Sequence, residues 1–247
     1  MKDNFSENPG NYLKFRPDYP EEIFQFIKSK LKNSNRAWDV GTGNGQVAKS
    51  ISDYFKIIEA TDISDEQLKY SFKHPNIHYS AQVAEKVDFP DDSFDFIISG
   101  QAVHWFDFDK FYSEVKRCLK PDGLIAILGY GLFRSTHDVN KVIDRFYTDI
   151  IGPYWDEERK YLDDNYSSIP FPFEEIQTPD FEQNYTWSFE HVLGYLRTWS
   201  AVKHYREKHH SDPVKLVERE LKQAFGDLNK VSFPILFRMG KDTSPDQ

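Results

Sequence analysis

The sequence predicts an α/β fold: a doubly wound, mostly parallel sheet with a helical, aromatic cap inserted between its late strands. Three observations predict it. Between Pro20 and Gly129, short apolar runs alternate with segments whose apolar residues recur at helical spacing, the pattern of βαβ units. Each loop that carries unusual residues follows one of those apolar runs, which places all such loops on the carboxyl edge of a sheet, where α/β folds bind ligands. Beyond Gly131 the alternation stops, and aromatic and charged residues follow without strand periodicity until about Phe181.

The elements follow in order. "PEEIFQFIKSKL" sets Ile23, Ile27 and Leu31 four apart behind Pro20, a residue suited to a first helical turn. "RAWDV" is a buried strand ending at glycines, and "GQVAKSISDYF" returns to helical spacing through Val47, Ile51 and Phe55. "KIIEATDIS" reads as a strand ending at Asp62, and "SDEQLKYSF" as a helix capped by Ser64. "NIHYSAQ" and "FDFIISGQ" are the third and fourth strands. "DFDKFYSEVKRCL" is a helix stopped by "KPDG", and "LIAILGYG" is the next strand. In the last third, "FEQNYTWS" reads as a strand, "FEHVLGYLRTWSAVKHYREKHH" as one helix, "PVKLVERELKQAF" as another and "KVSFPILFRMG" as the final strand. The expected organisation is a lid segment over 1–19, an α/β core over 20–130, a cap insertion over 131–180, and late strands and helices over 181–247.

Composition narrows the function classes. The 247 residues carry a formal net charge of −9, which repels phosphate backbones and anionic lipid surfaces, so neither nucleic acid nor membrane is an expected partner. Aromatics make up 16% of the chain, enough to line a pocket as well as fill a core. The single cysteine, Cys118, sits in a helical pattern as a small core residue and excludes an internal disulfide. No secretory leader pattern and no run of eighteen apolar residues is present, so a cytoplasmic location is expected. His209 and His210 read as residues at a helix end, and no spacing suggests a metal site.

The turn "WDVGTGNGQVAKS" is the most informative stretch. Glycine tolerates positive φ and lets a ligand approach bare backbone, and the following helix presents free amides. Gln46 stands where a dinucleotide-binding G-x-G-x-x-G would have its third glycine, and no Gly-Lys-Ser/Thr follows for a phosphate loop. What is present is Asp39, then Gly41, Thr42, Gly43, a further residue and Gly45, with Asp62 ending the next strand.

This set resembles the signature of the class I methyltransferases that use S-adenosylmethionine (AdoMet). The resemblance implies a Rossmann-like sheet of seven strands, AdoMet as methyl donor and S-adenosylhomocysteine as product. It implies that the Gly41–Gly45 turn passes under the methionine and ribose, that Asp39 helps hold the methionine amino group, and that Asp62 accepts hydrogen bonds from both ribose hydroxyls. Ile63 would pack on the adenine. "AEKVDFPDDSFDFIIS" is similar to the family stretch before its fourth strand, with Ala84 offering its amide to adenine. Many relatives carry an aspartate just before that alanine. This chain has Val83 there, so adenine must be read by backbone groups, Glu85 or another side chain.

Methyl transfer needs an aligned nucleophile, exclusion of water and, for some acceptors, removal of a proton. The fourth strand ends in "SGQAVHWFD", which brings Gln101, His104 and Trp105 to the reacting edge. There His104 is the candidate general base, with pocket lining as its other reading. "YLKFRPDYP" resembles a lid segment of one branch, which would put Tyr12 and Tyr19 over the cofactor and Arg16 on its carboxylate. "GYLRTWSAVKHYREKH" resembles the late cap helix of the same branch, which includes trans-aconitate methyltransferases and fungal relatives. That likeness implies a small-molecule acceptor, a carboxylate by preference, near Trp105, Arg134, Arg197, Trp199 and Ser200. The working unit is expected to be a monomer or homodimer. A nicotinamide-dependent oxidoreductase and a non-catalytic AdoMet-binding protein are the alternatives.

Overall fold

The computed structural model describes residues 14–242. Five strands, β1 (Arg36–Val40), β2 (Ile57–Asp62), β3 (Ile77–Ala81), β4 (Phe94–Gly100) and β5 (Leu119–Tyr130), pair in parallel in the order β3-β2-β1-β4-β5. Three more follow: β6 (Glu174–Ile176), β7 (Glu182–Ser188) and β8 (Leu228–Lys241). β8 runs antiparallel to β5, and its length explains why the sheet has eight strands where seven were expected. Its last residues, Met239–Lys241, pair with β6, while Leu228–Pro234 pair with β7. The order reverses between β1 and β4, and that switch point is where open α/β sheets form their ligand crevice.

β4 is buried from Phe94 to Ser99, as a central parallel strand covered on both faces must be. On one face Ile23, Phe24 and Ile27 of α1 (Glu21–Lys30) pack with Val47 and Ala48 of α2 (Gln46–Ser50). α3 (Asp65–Lys69) follows β2 and is capped by Ser64, whose Oγ accepts the Gln67 N–H at 3.2 Å. The other face carries α4 (Phe108–Cys118), which buries Phe111, Val115 and Cys118. β1 and β2 are tied at depth by Trp38 Nε1 donating to Thr61 Oγ1 at 2.9 Å.

A separate apolar cluster forms the cap. It unites α5 (His137–Arg145), the wide turn 146–150, α7 (Phe189–Leu196), α8 (Ser200–His209) and α9 (Glu218–Phe225) with Tyr130, Phe133 and Phe233. A short α6 (Lys160–Asp163) packs instead against the α4 side through Leu162.

Three elements depart from the sequence reading. The helix expected over "GQVAKSISDYF" keeps helical form only to Ser50, because Ser50 and Ser52 donate their hydroxyls to the carbonyls of Gln46 and Lys49 and the chain continues as turns. The single helix expected from Phe189 to His210 is two, broken at Arg197–Trp199. There Arg16 Nη2 takes the Thr198 carbonyl at 3.0 Å, and Trp199 adopts an extended conformation ahead of α8. The "KPDG" stop is absorbed into the irregular start of β5, where the pairing with β4 shifts register.

Candidate active site

A cleft with about 840 Å³ of empty space, part of it open to solvent, lies over the carboxyl ends of β1, β2 and β4, the edge where open α/β sheets bind ligands. Its floor is the turn after β1, where Gly41, Gly43 and Gly45 have φ of 66°, 57° and 83°, values that favour glycine. Thr42 N–H donates to the Thr61 carbonyl at 2.9 Å and pins the turn to β2. A Cβ on Gly43 would meet no atom within 4 Å, so the bare backbone there is a surface left open to the cleft.

Two carboxylates line this cleft. Asp39 is fully buried; its Oδ2 accepts from Thr42 Oγ1 at 2.5 Å and from the Ala48 N–H at 2.9 Å, while Oδ1 has no partner among the described residues. Burial pushes the Asp39 carboxyl up to about 7, against the lowering effect of those two hydrogen bonds. Asp62 ends β2; its Oδ2 accepts from the Gly43 N–H and its Oδ1 from the Ser64 N–H, both at 2.9 Å. Lysine and arginine are absent from the described lining residues. Such a cleft suits a cation with hydroxyls better than a pyrophosphate.

A second cavity, about 450 Å³ of empty space, adjoins the first, and Gln101 and Trp105 line both. Gln101 holds φ +55° at the end of β4, an uncommon conformation for a residue with a Cβ. Its N–H donates to the Leu128 carbonyl and its Oε1 accepts the Tyr130 N–H, each at 2.8 Å. Further in stand Arg16, His104, Asp156, Arg159, Trp199 and Ser200. Arg16 donates through Nη1 to the Tyr130 hydroxyl at 2.9 Å. Arg159 lies 4.6 Å from the Trp155 ring centroid and donates from Nε to the Tyr147 hydroxyl at 2.5 Å. Its two terminal nitrogens make no hydrogen bond or ion pair among the described residues, so the guanidinium fork is available to a ligand. His104 is 4% exposed. Burial first, then Arg159 and Arg16, push its pKa down to about 3, so the imidazole is neutral near pH 7.

The structure therefore gathers Asp39, Gly41, Thr42, Gly43, Asp62 and Ile63 around one cleft and His104, Trp199 and Ser200 around the other. Several residues singled out in the sequence stand elsewhere. Gly45 serves close packing: a Cβ there would come within 2.2 Å of the Tyr79 hydroxyl. Ala84 is buried, and Glu85 accepts the Asp107 N–H at 3.0 Å, so neither lines the cleft. Arg134 pairs with Asp144 at 2.5 Å on the outside of the cap. Arg197 pairs with Asp212 at 2.8 Å, because the break after α7 turns it away from the cavity. Arg16 borders the second cavity and not the first, and Tyr12 lies outside the described residues.

Sequence reasoning missed Arg159, Asp156 and Tyr166, all in the segment without periodicity, and also Ser64 and Gln67, which line the first cleft. Gln67 had a signal: it lies on the short helix that begins just after Asp62. Arg159 had none.

Among the described residues no helix is long and apolar enough to cross a membrane. A family model described as a methyltransferase domain matches residues 38–127. A Dictyostelium discoideum protein assigned to the methyltransferases is 32% identical over 249 residues, covering 97% of this chain and 95% of that one. A solved structure from Anaeromyxobacter dehalogenans, assigned as a type II methyltransferase, has a TM-score of 0.85 at 34% identity and covers 92% of this chain and 98% of that one. A Haemonchus contortus phosphoethanolamine N-methyltransferase, solved with phosphomonomethylethanolamine and S-adenosylhomocysteine, shares the fold with a TM-score of 0.50 at 16% identity, over 97% of this chain and 58% of that one.

Proposed function

The chain belongs to the methyltransferase family, and from that premise we propose that it transfers the methyl group of AdoMet to a small acceptor bearing a carboxylate. The observation that carries this reading is the division of charge between two adjoining spaces. Among the described residues, the first is lined by two carboxyl groups and no basic side chain, and the second by two arginines, Arg16 and Arg159, against the single acid Asp156.

The residues of the first cleft fit AdoMet. The partnerless Oδ1 of Asp39 is a buried acceptor for an ammonium group, and ionising that carboxyl becomes favourable when a cation arrives. Asp62 stands where a ribose diol can share its oxygens, and Gly43 leaves backbone bare for close approach. AdoMet supplies an activated methyl on a sulfonium, which departs as a neutral thioether. A nicotinamide dinucleotide would instead place two phosphates against two carboxylates.

Toward the acceptor, the protein's tasks are grip, alignment and dryness. Arg159 presents an open fork held rigid by Trp155 and Tyr147, which suits bidentate contact with a carboxylate. Arg16, on the same cavity, is anchored by Tyr130 and Thr198. Trp105 and Gln101 stand at the junction where the methyl would cross. A carboxylate oxygen attacks without losing a proton, so no base is needed. An amine or hydroxyl acceptor fits less well, because an imidazole held near pKa 3 is a poor proton acceptor. The cavity's size and the acidic chain favour a small molecule over nucleic acid.

Calorimetry with AdoMet, S-adenosylhomocysteine and NAD tests the cofactor: the first two should bind and NAD should not. Turnover against a panel of small carboxylic acids tests the acceptor, and Arg159→Leu should raise the acceptor KM at least tenfold while leaving AdoMet affinity unchanged. NAD binding alone, or turnover confined to amines, would overturn the proposal.

A further inference from the structure

We infer that Tyr166 is a positioning residue that fixes His104 as its Nε2–H tautomer, making the imidazole a hydrogen-bond donor to the acceptor and not a base. The donor role rests on the acceptor reading above; the tautomer does not.

Tyr166 is held in an unusual way. Asn165 and Tyr166 have φ of 58° and 61°, two successive non-glycine residues in the left-handed region, where a Cβ crowds the backbone. Surrounding contacts offset that strain. Arg238 Nη1 donates to the Tyr166 carbonyl at 3.1 Å and to that of Ile169 at 2.8 Å. The Tyr166 N–H donates to Tyr161 O at 2.7 Å, and the ring lies on Gly129, where a Cβ would come within 2.8 Å of it. The result is a fully buried phenol whose hydroxyl stands 3.3 Å from His104 Nδ1.

The direction of that hydrogen bond follows from counting protons. The Tyr166 hydroxyl has no other partner among the described residues. If it accepted from Nδ1–H, its own proton would be buried without an acceptor, which is costly. If it donates, the hydroxyl proton and Nδ1 are both satisfied, and the one N–H left over belongs to a ring that borders the second cavity, where water or a ligand can accept it. Burial also pushes the phenol's pKa upward, so it keeps its proton. A neutral imidazole carries one N–H, which then resides on Nε2. That nitrogen has no hydrogen bond among the described residues, and the ring borders the second cavity beside Arg16, Arg159 and Asp156. His104 with this tautomer adds a third donor to an anion site.

The protein labelled with 15N-histidine, without cofactor, provides the test. Long-range proton–nitrogen NMR reads which ring nitrogen is protonated, and loss of signals in His104→Gln identifies this residue. The inference requires Nε2–H between about pH 5 and pH 8, and a shift toward a tautomer mixture in Tyr166→Phe. A protonated Nδ1 in the parent protein, or an unchanged spectrum in Tyr166→Phe, overturns it. With a carboxylate acceptor, His104→Gln keeps an N–H donor near the Nε2 position. It should therefore hold the acceptor KM within a few-fold, while His104→Ala should raise it tenfold or more. Equal loss of kcat in both variants would instead mark a base. Absence of any turnover would sink the acceptor reading and leave the tautomer result standing.

Discussion

Replacing Asp39 with asparagine should pull stability and cofactor binding in opposite directions. Asp39 is fully buried and raised to about 7 from an ordinary 3.8, chiefly by desolvation. A carboxyl raised in the folded state contributes stability that is complete below its unfolded pKa and is lost as pH climbs through the folded value. From those two values, the loss is roughly 2 kcal/mol at about pH 5 and roughly 4 kcal/mol at about pH 8. Asparagine never ionises and escapes this loss. The variant should therefore gain about 2 kcal/mol on the parent between about pH 5 and pH 8, which for a chain of this size moves the melting point by about 4–8 °C. Its carbonyl oxygen can still accept from Thr42 and Ala48, which leaves an NH2 where Oδ1 stood. An ammonium group would then meet a donor, so AdoMet should no longer raise the melting temperature. Thermal melts at several pH values, with and without AdoMet, check both parts. Curves for parent and variant that stay parallel from acid to alkaline pH would refute the charge-burial argument.

The glycine turn gives two substitutions that fail for different reasons. Gly41→Ala places a methyl 2.7 Å from the Ala102 Cβ at positive φ and should cost stability directly, whereas Gly43→Ala meets no neighbour and should fold with about 1–2 kcal/mol of strain yet bind AdoMet poorly; melting temperature and calorimetric Kd separate them. Asp62→Asn removes the charge that accepts the Gly43 and Ser64 amides and should weaken AdoMet binding about ten- to hundredfold. Asp212 holds both Arg197 and Arg206, at 2.8 and 2.9 Å, and these partners keep its carboxyl below the usual range. Asp212→Ala should loosen the α7–α8 junction by about 1–2 kcal/mol in urea unfolding, an effect that shrinks as the pH falls far enough to protonate the parent's carboxyl.

The division between what the chain reveals as text and what it reveals only when folded has a physical origin. The first cleft is made of loops that each follow a strand, so its parts are punctuated by residue types with few alternatives. Three alternate glycines mark backbone at positive φ, and acids at Asp39 and Asp62 fall at strand ends. Periodicity locates the strands, and the strands locate the loops. Departures remained: α2 stops early because serine hydroxyls compete for its carbonyls, β8 outruns its expected extent, Gly45, Ala84 and Glu85 fall outside the cleft, and Ser64 and Gln67 line it unannounced. The second cavity has no such grammar. Much of its wall comes from residues 155–162 and 199–200, joined by tertiary contacts across the cap.

Arginine illustrates the point. Arg134, Arg159 and Arg197 look alike in sequence, and each lies in a polar, aromatic neighbourhood. Arg134 and Arg197 are neutralised by Asp144 and Asp212. Arg159 keeps its terminal nitrogens open because its nearest acid, Asp163, reaches only Nε at 3.4 Å, while Tyr147 takes that same nitrogen. Which guanidinium stays available depends on pairings between residues far apart in the chain, set by how α5 to α8 pack. The same packing lowers the His104 pKa, first by burying the ring and then by bringing Arg159 and Arg16 to it from distant parts of the sequence. An imidazole that looks like a base in the string "QAVHWFD" thus becomes a neutral group among fixed positive charges. The chemistry of this cavity is decided by the company that folding assembles around it.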